Sequence, residues 1–503
     1  MTQALLSLST SEFISNIEAV AAKFDTATYP QQNLPADDWA LLVGSGVLLP
    51  SLPKEYGGRD SHVEMCQVIE TLSEWNLPLG VYAAVNTALG LRPIVMWAGE
   101  QAKQEVLPLF SGGDSLGAGF AATEPGCGSA MSSMTTTFEE VDEGYRIRGR
   151  KHWQALSFSA NWWVVAAKNA NGQGREYGFF LVKRSEGFRT VERYEPLGLK
   201  AVDYGINDID AVVPPHRRIR AEKRDLGTMV EILLASRSMM AAMGAGFLRR
   251  ISREAHAYAE SRQIGRAPLS AIRFARYRLA AIDSSRTVCE ALSHHLRTRL
   301  DLKADLMSSF PAVQAIKTVA TERILSSALH YQQLAGGEGY RCGSPTNIAG
   351  QAALDARVFP IFDGNNDLLS EQLAGYCLAR VGGRTLSEFL AAWPLTAAGV
   401  TAYKGDLSFL DRPLEQEHKV LAGRVIAYLF AITQVITWAD ETGAGADQAR
   451  VAIEFLKNDI VGVATEFNLL AVGVLGTDDE DTGPSAGADG VAHPGSVPVA
   501  ARS

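Results

Sequence analysis

The sequence predicts an α+β fold in which helices, then strands, then helices follow one another along the chain. Apolar residues recur with the helical period through residue 110 and again after residue 220. Between these segments, residues 117–215 hold short alternating or β-branched runs separated by Gly, Asn and Asp, which is the pattern of an antiparallel β domain. A chain of 503 residues is also too long for one simple core.

The individual elements follow from local signals taken in chain order. Ser9 and Glu12 have the spacing of a capping box, so the first helix is expected to start there. The turn at 53–58 separates later helices. The predicted helices are 13–24, 36–47, 61–75, 101–110, 229–261, 271–300, 311–335, 368–379, 415–438 and 447–475. The predicted strands are 145–148, 162–167, 177–182 and 209–213.

These elements divide the chain into five predicted segments. The four long helices between 229 and 379 are sufficient for a four-helix bundle. The last segment is acidic and rich in Gly, with too little apolar surface to order itself. The segments are an N-terminal helical domain at 1–114, a middle β domain at 115–222, a C-terminal helical bundle at 223–385, a helical extension at 386–475 and a flexible tail at 476–503.

Composition excludes several classes of protein. The chain is 47% hydrophobic and 20% charged, and its net charge is -9, so we expect no nucleic-acid partner. We identify no signal peptide and no apolar run of about 18 residues, and therefore expect no membrane span. The odd number of widely spaced cysteines predicts neither disulfides nor a zinc site, which fits a cytoplasmic protein. These cysteines are Cys66, Cys127, Cys289, Cys342 and Cys377.

Four sequence motifs carry the strongest functional signal. They are FAATEPGCGS at 120–129, GRKHW at 149–153, GGEGY at 336–340 and DARVFPIFDG at 355–364. In order and separation they resemble the acyl-CoA dehydrogenase superfamily of flavoproteins over about residues 34–377. The resemblance implies a helical N-terminal domain, a middle β-barrel domain and a C-terminal four-helix bundle, here followed by extra helices. It also implies FAD as the cofactor and a homodimer or homotetramer.

The resemblance assigns most of the cofactor site. Phe120, Ala122 and Thr123 match contacts to the flavin pyrimidine edge, and Ser129 matches a contact to a flavin phosphate or the substrate. Glycines in this loop let backbone N–H groups approach polar atoms closely. Trp153 matches the tryptophan that packs on the flavin ring, the alternative being an ordinary buried aromatic. Two departures alter the flavin's surroundings: Ala155 replaces a threonine that meets flavin N5, and Ala130 replaces an aspartate.

The remaining cofactor residues match the adenosine and phosphate end of FAD. Gln333, Gly336 and Gly337 match positions that touch the adenosine across a subunit interface, and Asn365 stands where a threonine is usual. Arg262 matches a phosphate-binding arginine displaced by one position, the alternative being a solvated cation at a helix end. No glycine motif for NAD follows a strand, and the histidines lack metal spacing, with His294 and His295 expected to be a surface pair on a helix.

A dehydrogenase of acyl thioesters needs a base for the α proton. The family's glutamate corresponds to Asp363, with Phe362 and Gly364 beside it as substrate-binding residues together with Ser129. The family's other base position corresponds to Ser236. Nitroalkane oxidases of the superfamily carry an aspartate here and an arginine seven residues on, where this chain has Ser370. Alternatively, Asp363 is a turn residue in an inactive relative.

We therefore predict an FAD-dependent dehydrogenase that introduces an α,β double bond into an acyl thioester of CoA or of an acyl carrier protein. Electron-transfer flavoprotein or O2 would accept the electrons. The alternatives are a flavin oxidase or monooxygenase of the same fold, and a non-catalytic flavin-binding relative.

Overall fold

The computed structural model describes residues 2–29, 33–115, 117–172, 176–220, 226–341 and 343–471. The predicted flexible tail at 476–503, Cys342 and most of the junction between the second and third domains lie outside the described residues. The other four cysteines are free and buried.

The N-terminal domain is helical, as predicted. The Ser9 hydroxyl and the Glu12 carboxylate cap each other's backbone, which confirms the capping box. A segment between 77 and 97 was not predicted as helical, because it is apolar on nearly all sides and shows no amphipathic period. The helices are α1 (Thr2–Ser7), α2 (Thr10–Ala21), α3 (Ala36–Gly44), α4 (His62–Trp75), α5 (Leu77–Ala84), α6 (Arg92–Trp97) and α7 (Glu100–Gly112), with a π-helical turn at Val85–Leu91 between α5 and α6.

The middle domain is a β domain whose described strands form one eight-stranded sheet. Most neighbours are antiparallel, but the first strand and part of the second run parallel to the fourth, which the sequence pattern did not predict. The strands are β1 (Ala118–Ala121), β2 (Thr137–Val141), β3 (Gly144–Ala155), β4 (Trp162–Asn169), β5 (Tyr177–Lys183), β6 (Phe188–Arg193), β7 (Tyr204–Val213) and β8 (Arg218–Ile219).

A helical bundle follows the sheet. The predicted helix at 229–261 is divided near Met239, and two short strands form a hairpin after its second part. The elements are α8 (Leu226–Ser238), α9 (Met240–Ser261), β9 (Gln263–Ile264), β10 (Ala267–Pro268), α10 (Arg273–Arg299), α11 (Phe310–Ala335), α12 (Ala349–Ala356) and α13 (Asn366–Leu378).

The C-terminal extension packs directly on this bundle. A Cβ atom on Gly423 would lie 1.9 Å from the carbonyl oxygen of Ser370, so the two helix backbones are in contact there. Arg424 pairs with Asp367 at 2.8 Å, and Arg323 pairs with Asp459. The helices are α14 (Leu386–Ala392), α15 (Ala397–Tyr403), α16 (Gln416–Thr442) and α17 (Ala446–Ala471), of which the first two were not predicted.

Three helical stretches in the described residues are long and apolar enough to cross a membrane, at Leu77–Trp97, Leu226–Ser261 and Gln416–Thr442. By the criteria of length and composition, the expectation that no stretch could span a membrane is therefore wrong. Between 72% and 78% of their most apolar windows is buried inside the protein, so packing against neighbouring elements accounts for their apolar character.

Candidate active site

A buried ion pair fastens the loop after β1 to strand β3. Lys151 Nζ lies 2.8 Å from Glu124 Oε1, and both side chains are fully buried. Lys151 also donates to the carbonyl oxygen of Ala122. Glu124 accepts hydrogen bonds from the backbone N–H groups of Thr135 and Thr136 and from the Thr135 hydroxyl. A buried carboxylate with three kinds of donor holds its loop in one conformation.

The electrostatics of this pair favour a charged Glu124. Burial raises the pKa of its carboxyl, but the charge of Lys151 and the hydrogen bonds from Lys151, Thr135 and Thr136 outweigh burial and lower that pKa to about 2. Burial in turn lowers the pKa of Lys151 to about 8, opposed by Glu124. Four donors converge on the Glu124 carboxylate, so it stays ionised at neutral pH.

Trp153 occupies a strained, solvent-facing position near the end of β3. The β3–β7 register shifts between His152 and Gln154, and Trp153 lies in this irregularity with a φ of 58°. Its indole is 52% exposed and lies 4.5 Å from the ring of Tyr194. The reading of Trp153 as an ordinary buried aromatic is therefore wrong. A bulky residue at positive φ is unfavourable, and such strain is concentrated at functional sites.

The other predicted flavin residues of this domain surround the same loop. Phe120 and Ala122 are buried at the end of β1. The carbonyl oxygen of Thr123 accepts hydrogen bonds at 3.0 Å from the His152 backbone N–H and from the Gln154 side chain. Ser129 is exposed beyond the loop. Ala155 lies opposite Tyr204 in the β3–β7 ladder, two residues beyond Trp153.

Asp363 lies in a left-handed turn immediately before α13. Asp363 has a φ of 58° and Gly364 a φ of 89°, so two successive residues adopt the left-handed conformation. Asp is among the few residues that tolerate it. Arg237 donates from Nε to the carbonyl oxygen of Asp363 at 2.9 Å, and Lys317 donates to that of Gly364 at 2.8 Å. Both cations therefore bind the backbone of the turn.

One oxygen atom of the Asp363 carboxyl group, Oδ2, is buried and has no hydrogen-bond partner among the described residues. Burial raises the pKa of this carboxyl group, opposed by the charge of Arg237, a hydrogen bond from Ser236 and the charge of Lys317. Ser236 and Asp363, which the sequence resemblance aligns with the two base positions, are therefore neighbours in the folded chain.

The side chains of Asn365 and Phe362, which flank Asp363 and Gly364, make local contacts. The Asn365 side chain caps α13 by accepting a hydrogen bond from the Leu368 N–H at 2.8 Å. Phe362 is partly buried, and its ring lies edge-on to that of Phe359, with the ring centroids 5.0 Å apart.

Sequence analysis missed Arg237 and Lys317. Both residues lie in apolar helical stretches. A charged residue within such a stretch indicates a buried charge, and this signal could have identified them.

A third group of predicted residues lies at the end of α11. Arg262 donates to the Tyr258 hydroxyl at 2.8 Å, and Tyr258 donates to the carbonyl oxygen of Ala335. Gly336 has a φ of 61° and a ψ of -135°, and a Cβ placed on it would lie 3.8 Å from the Arg262 guanidinium. Gln333 and Gly337 are exposed beside it. The predicted phosphate and adenosine residues are therefore neighbours within one chain.

Asp355, the first residue of the fourth motif, joins two domains. Its Oδ1 atom accepts hydrogen bonds from the backbone N–H of Leu199 at 2.6 Å and from Gln351 at 2.8 Å. Burial raises its pKa to about 7. This residue fixes the loop before β7 against α12.

The histidine pair on α10 is not a surface pair, contrary to expectation. His295 is buried and lies 2.7 Å from Gln434, and His294 contacts Glu441 at 2.7 Å. Both therefore help to attach α16. Within the described residues, no group of three His, Cys, Asp or Glu side chains could hold a metal ion.

The fold and this site define a class of protein. The chain matches the N-terminal, middle and C-terminal domains of acyl-CoA dehydrogenase over residues 2–114, 119–212 and 226–376. It belongs to the acyl-CoA dehydrogenase family of FAD-dependent oxidoreductases, which confirms the predicted superfamily, fold class and cofactor. The exposed Trp153 indole and the open glycines beside Arg262 fit such a cofactor.

Individual relatives are moderately similar. An acyl-CoA dehydrogenase of Bacillus subtilis is 28% identical over 342 residues, which cover 66% of this chain and 87% of the relative. The short-chain specific acyl-CoA dehydrogenase of Rattus norvegicus is 26% identical, covering 66% and 80%. An acyl-CoA dehydrogenase from Bacillus anthracis, solved with FAD, superposes with a TM-score of 0.74 at 21% identity, covering 94% of this chain and 88% of that one.

Proposed function

We propose that the protein oxidises an acyl thioester to its α,β-unsaturated form, with Asp363 as the base that removes the α proton. The observation that carries this proposal is the buried Oδ2 atom of Asp363, which has no donor among the described residues although two cations lie beside the turn. A carboxylate that already accepted charged hydrogen bonds would be a weaker base. Here Arg237 and Lys317 donate to main-chain carbonyl groups instead.

FAD would take up the hydride from the β carbon. Within this chain, Trp153 would present its exposed face to the ring system, and the loop held by Glu124 and Lys151 would supply the backbone groups at its edge. Arg262 and Gly336 would receive the phosphate and adenosine end. Because Gln333 and Gly337 are exposed, we propose that they serve the cofactor of a second subunit in a homodimer or homotetramer. We also propose a cytoplasmic location, which the odd number and wide spacing of the cysteines in the sequence favour.

The thioester carrier is proposed to be CoA or an acyl carrier protein. The relatives named above are acyl-CoA dehydrogenases. The fold is also shared, at a TM-score of 0.63 and 17% identity, with a protein described as the prolyl acyl carrier protein oxidase AnaB, covering 73% of this chain and 98% of that one. Electron-transfer flavoprotein is the proposed electron acceptor for a dehydrogenase.

A flavin oxidase or monooxygenase is the second candidate. Three departures from the family pattern favour it: Asp363 for glutamate, Ala155 for threonine and Ala130 for aspartate. Smaller side chains beside the flavin leave more room near its reactive edge. Reoxidation by O2 at a rate exceeding that with electron-transfer flavoprotein, measured under one substrate, would support this candidate over the dehydrogenase.

The test begins with the absorbance spectrum of the purified protein, followed by anaerobic mixing with acyl-CoA and acyl-carrier-protein substrates. Bleaching of the flavin by a thioester is expected for the wild type. Asp363→Asn should retain FAD, since Asn also tolerates the left-handed conformation, and should lose bleaching by more than the ~10²–10⁴-fold typical of general-base contributions. A colourless protein that binds no FAD would indicate a non-catalytic relative, and unchanged bleaching by Asp363→Asn would place the base elsewhere.

A further inference from the structure

Lys317 is a buried lysine whose ammonium group binds the turn that follows Asp363. Its side chain is fully buried in α11. Nζ donates at 2.8 Å to the carbonyl oxygen of Gly364 and at 2.8 Å to Oδ1 of Asn366. Burying an ammonium is strongly unfavourable unless its hydrogen bonds are made, and both of these bonds go to the segment 364–366, which leads from the turn into α13.

Further hydrogen bonds orient the side chain of Asn366, which accepts one of the two bonds from Lys317. The Asn366 amide donates to Thr321 at 3.0 Å and to Glu322 at 2.6 Å. Lys317, Thr321 and Glu322 therefore hold Asn366 from one face of α11, which orients its side-chain oxygen towards Lys317. The turn is attached to α11 through its main chain at Gly364 and through its side chain at Asn366.

The charge of Lys317 also acts on the Asp363 carboxylate, although the two groups form no ion pair within 4.0 Å in the described part of the chain. The groups that face Asp363 are Ser236 and Arg237 from α8 and Lys317 from α11, with Glu322 facing Lys317. Burial lowers the pKa of Lys317 to about 7, and Asp363 opposes that shift.

We propose that Lys317 is a positioning residue for the reaction: it holds the turn at Asp363 and Gly364 so that the aspartate carboxylate reaches the α carbon, and its positive charge favours the ionised form of that carboxylate. This proposal rests on the proposed function of Asp363. An aspartate arm is shorter than that of glutamate by one C–C bond, about 1.5 Å. With less side chain to adjust, the position of the carboxylate depends on the backbone, and a displacement of about 1 Å can reduce a rate by ~10²-fold.

The test compares Lys317→Met, which removes the charge and the donors, with Lys317→Arg, which keeps the charge. Lys303→Met is the matched control, because that lysine is exposed and pairs with Asp60 on the surface. The first readout is hydrogen exchange of a peptide covering residues 360–368 in the purified protein. The second is the pH dependence of anaerobic flavin bleaching by a thioester.

In Lys317→Met, the 360–368 peptide should exchange faster, and bleaching should slow by about 10²-fold. The acid limb of the pH profile should move to higher pH, because removal of a neighbouring cation raises the pKa of a carboxyl. Lys317→Arg should keep the wild-type position of that limb, and Lys303→Met should match the wild type in every readout. If Lys317→Met slows bleaching but leaves the acid limb of the pH profile unchanged, Lys317 has only a structural role, and its proposed electrostatic role is overturned.

The outcomes separate this inference from the proposed function. If no thioester bleaches the wild type, the proposed function fails, and hydrogen exchange alone decides whether Lys317 holds the turn. If the wild type is bleached and Asp363→Asn is not, but Lys317→Met exchanges and reacts like the wild type, only the inference about Lys317 is overturned. If Lys317→Met does not fold, the pH limb of Lys317→Arg decides: a shifted limb contradicts the proposal.

Discussion

Lys151 and Glu124 form a fully buried ion pair, with Nζ and Oε1 2.8 Å apart, that ties the loop after β1 to β3. Because Lys151 also donates to the Ala122 carbonyl oxygen, the pair holds both ends of the segment whose backbone we assign to the flavin edge. Removing one partner of a buried pair leaves an uncompensated charge, which destabilises a protein by about 3–5 kcal/mol.

Glu124→Gln is expected to lower the thermal stability at pH 7 and to reduce FAD occupancy. The pKa of Glu124 is lowered from 4.5 to about 2. Its contribution to stability is therefore complete above about pH 4.5 and is lost as the pH falls towards 2. Melting curves between pH 3 and 7 should show a steeper acid loss for the wild type than for the variant. The double variant Glu124→Gln with Lys151→Met should recover part of the stability, because neither charge remains.

Trp153→Gly is expected to weaken FAD binding without destabilising the FAD-free protein. Strain at positive φ is of the order of 1–3 kcal/mol, and glycine relieves it where the indole is largely exposed. Leu156→Gly is the matched control, since Leu156 also has a positive φ of 69° but is fully buried. That control should destabilise the FAD-free protein through lost packing. Unchanged FAD affinity in Trp153→Gly would contradict the assignment of the indole to the flavin.

Gly336→Ala and Gly337→Ala should differ, although the two residues are adjacent. Gly336 has a φ of 61° and a ψ of -135°, which strains any other residue, whereas a Cβ on Gly337 would meet nothing within 4 Å in this chain. We expect Gly336→Ala to lower both the melting temperature and FAD affinity. Gly337→Ala should leave the melting temperature of the FAD-free protein unchanged. Loss of FAD by Gly337→Ala at an unchanged melting temperature, measured by calorimetry and absorbance, would support a cofactor approaching from a second subunit.

Gly423→Ala tests the attachment of the C-terminal extension. Its Cβ would lie 1.9 Å from the Ser370 carbonyl oxygen, so α16 must move away from α13. We expect a lower melting temperature and a change in oligomer size or aggregation. We expect the same changes for a chain truncated after Thr385, which lacks α14, α15, α16 and α17. Gly462→Ala on α17 is the control, because nothing lies within 4 Å of its Cβ. Equal melting and equal sedimentation of the two variants would show that the extension does not depend on this contact.

The order of helices and strands could be predicted because most elements bury one face and therefore show a period. The helices between Leu77 and Trp97 were missed because they are buried on nearly all sides. The short helices α14 and α15 span seven residues each, which is too few for a period to emerge. Parallel pairing of β1 with β4 joins strands that are distant in sequence, which no local pattern encodes.

At the site, the sequence identified Trp153 and Asp363 but not the groups that hold them. Lys317 contacts Gly364 across 47 residues, and a helical pattern does not reveal which lysine is buried. His294 and His295 were assigned to the surface because α16, which covers them, lies about 140 residues further along the chain. The motif residues could be identified from the sequence because their residue types and spacing are visible there. Contacts between residues that are distant in sequence are defined only by the folded structure.

The backbone contact between Gly423 and Ser370 also governs how the region moves. The turn at Asp363 leads directly into α13, and α13 lies against α16 with no side chain between them at that point. A helix packed so closely has little freedom to rotate or slide independently. We therefore expect slow fluctuations of the turn to be shared with α16, so that relaxation measurements on α16 should report on the mobility of the Asp363 turn.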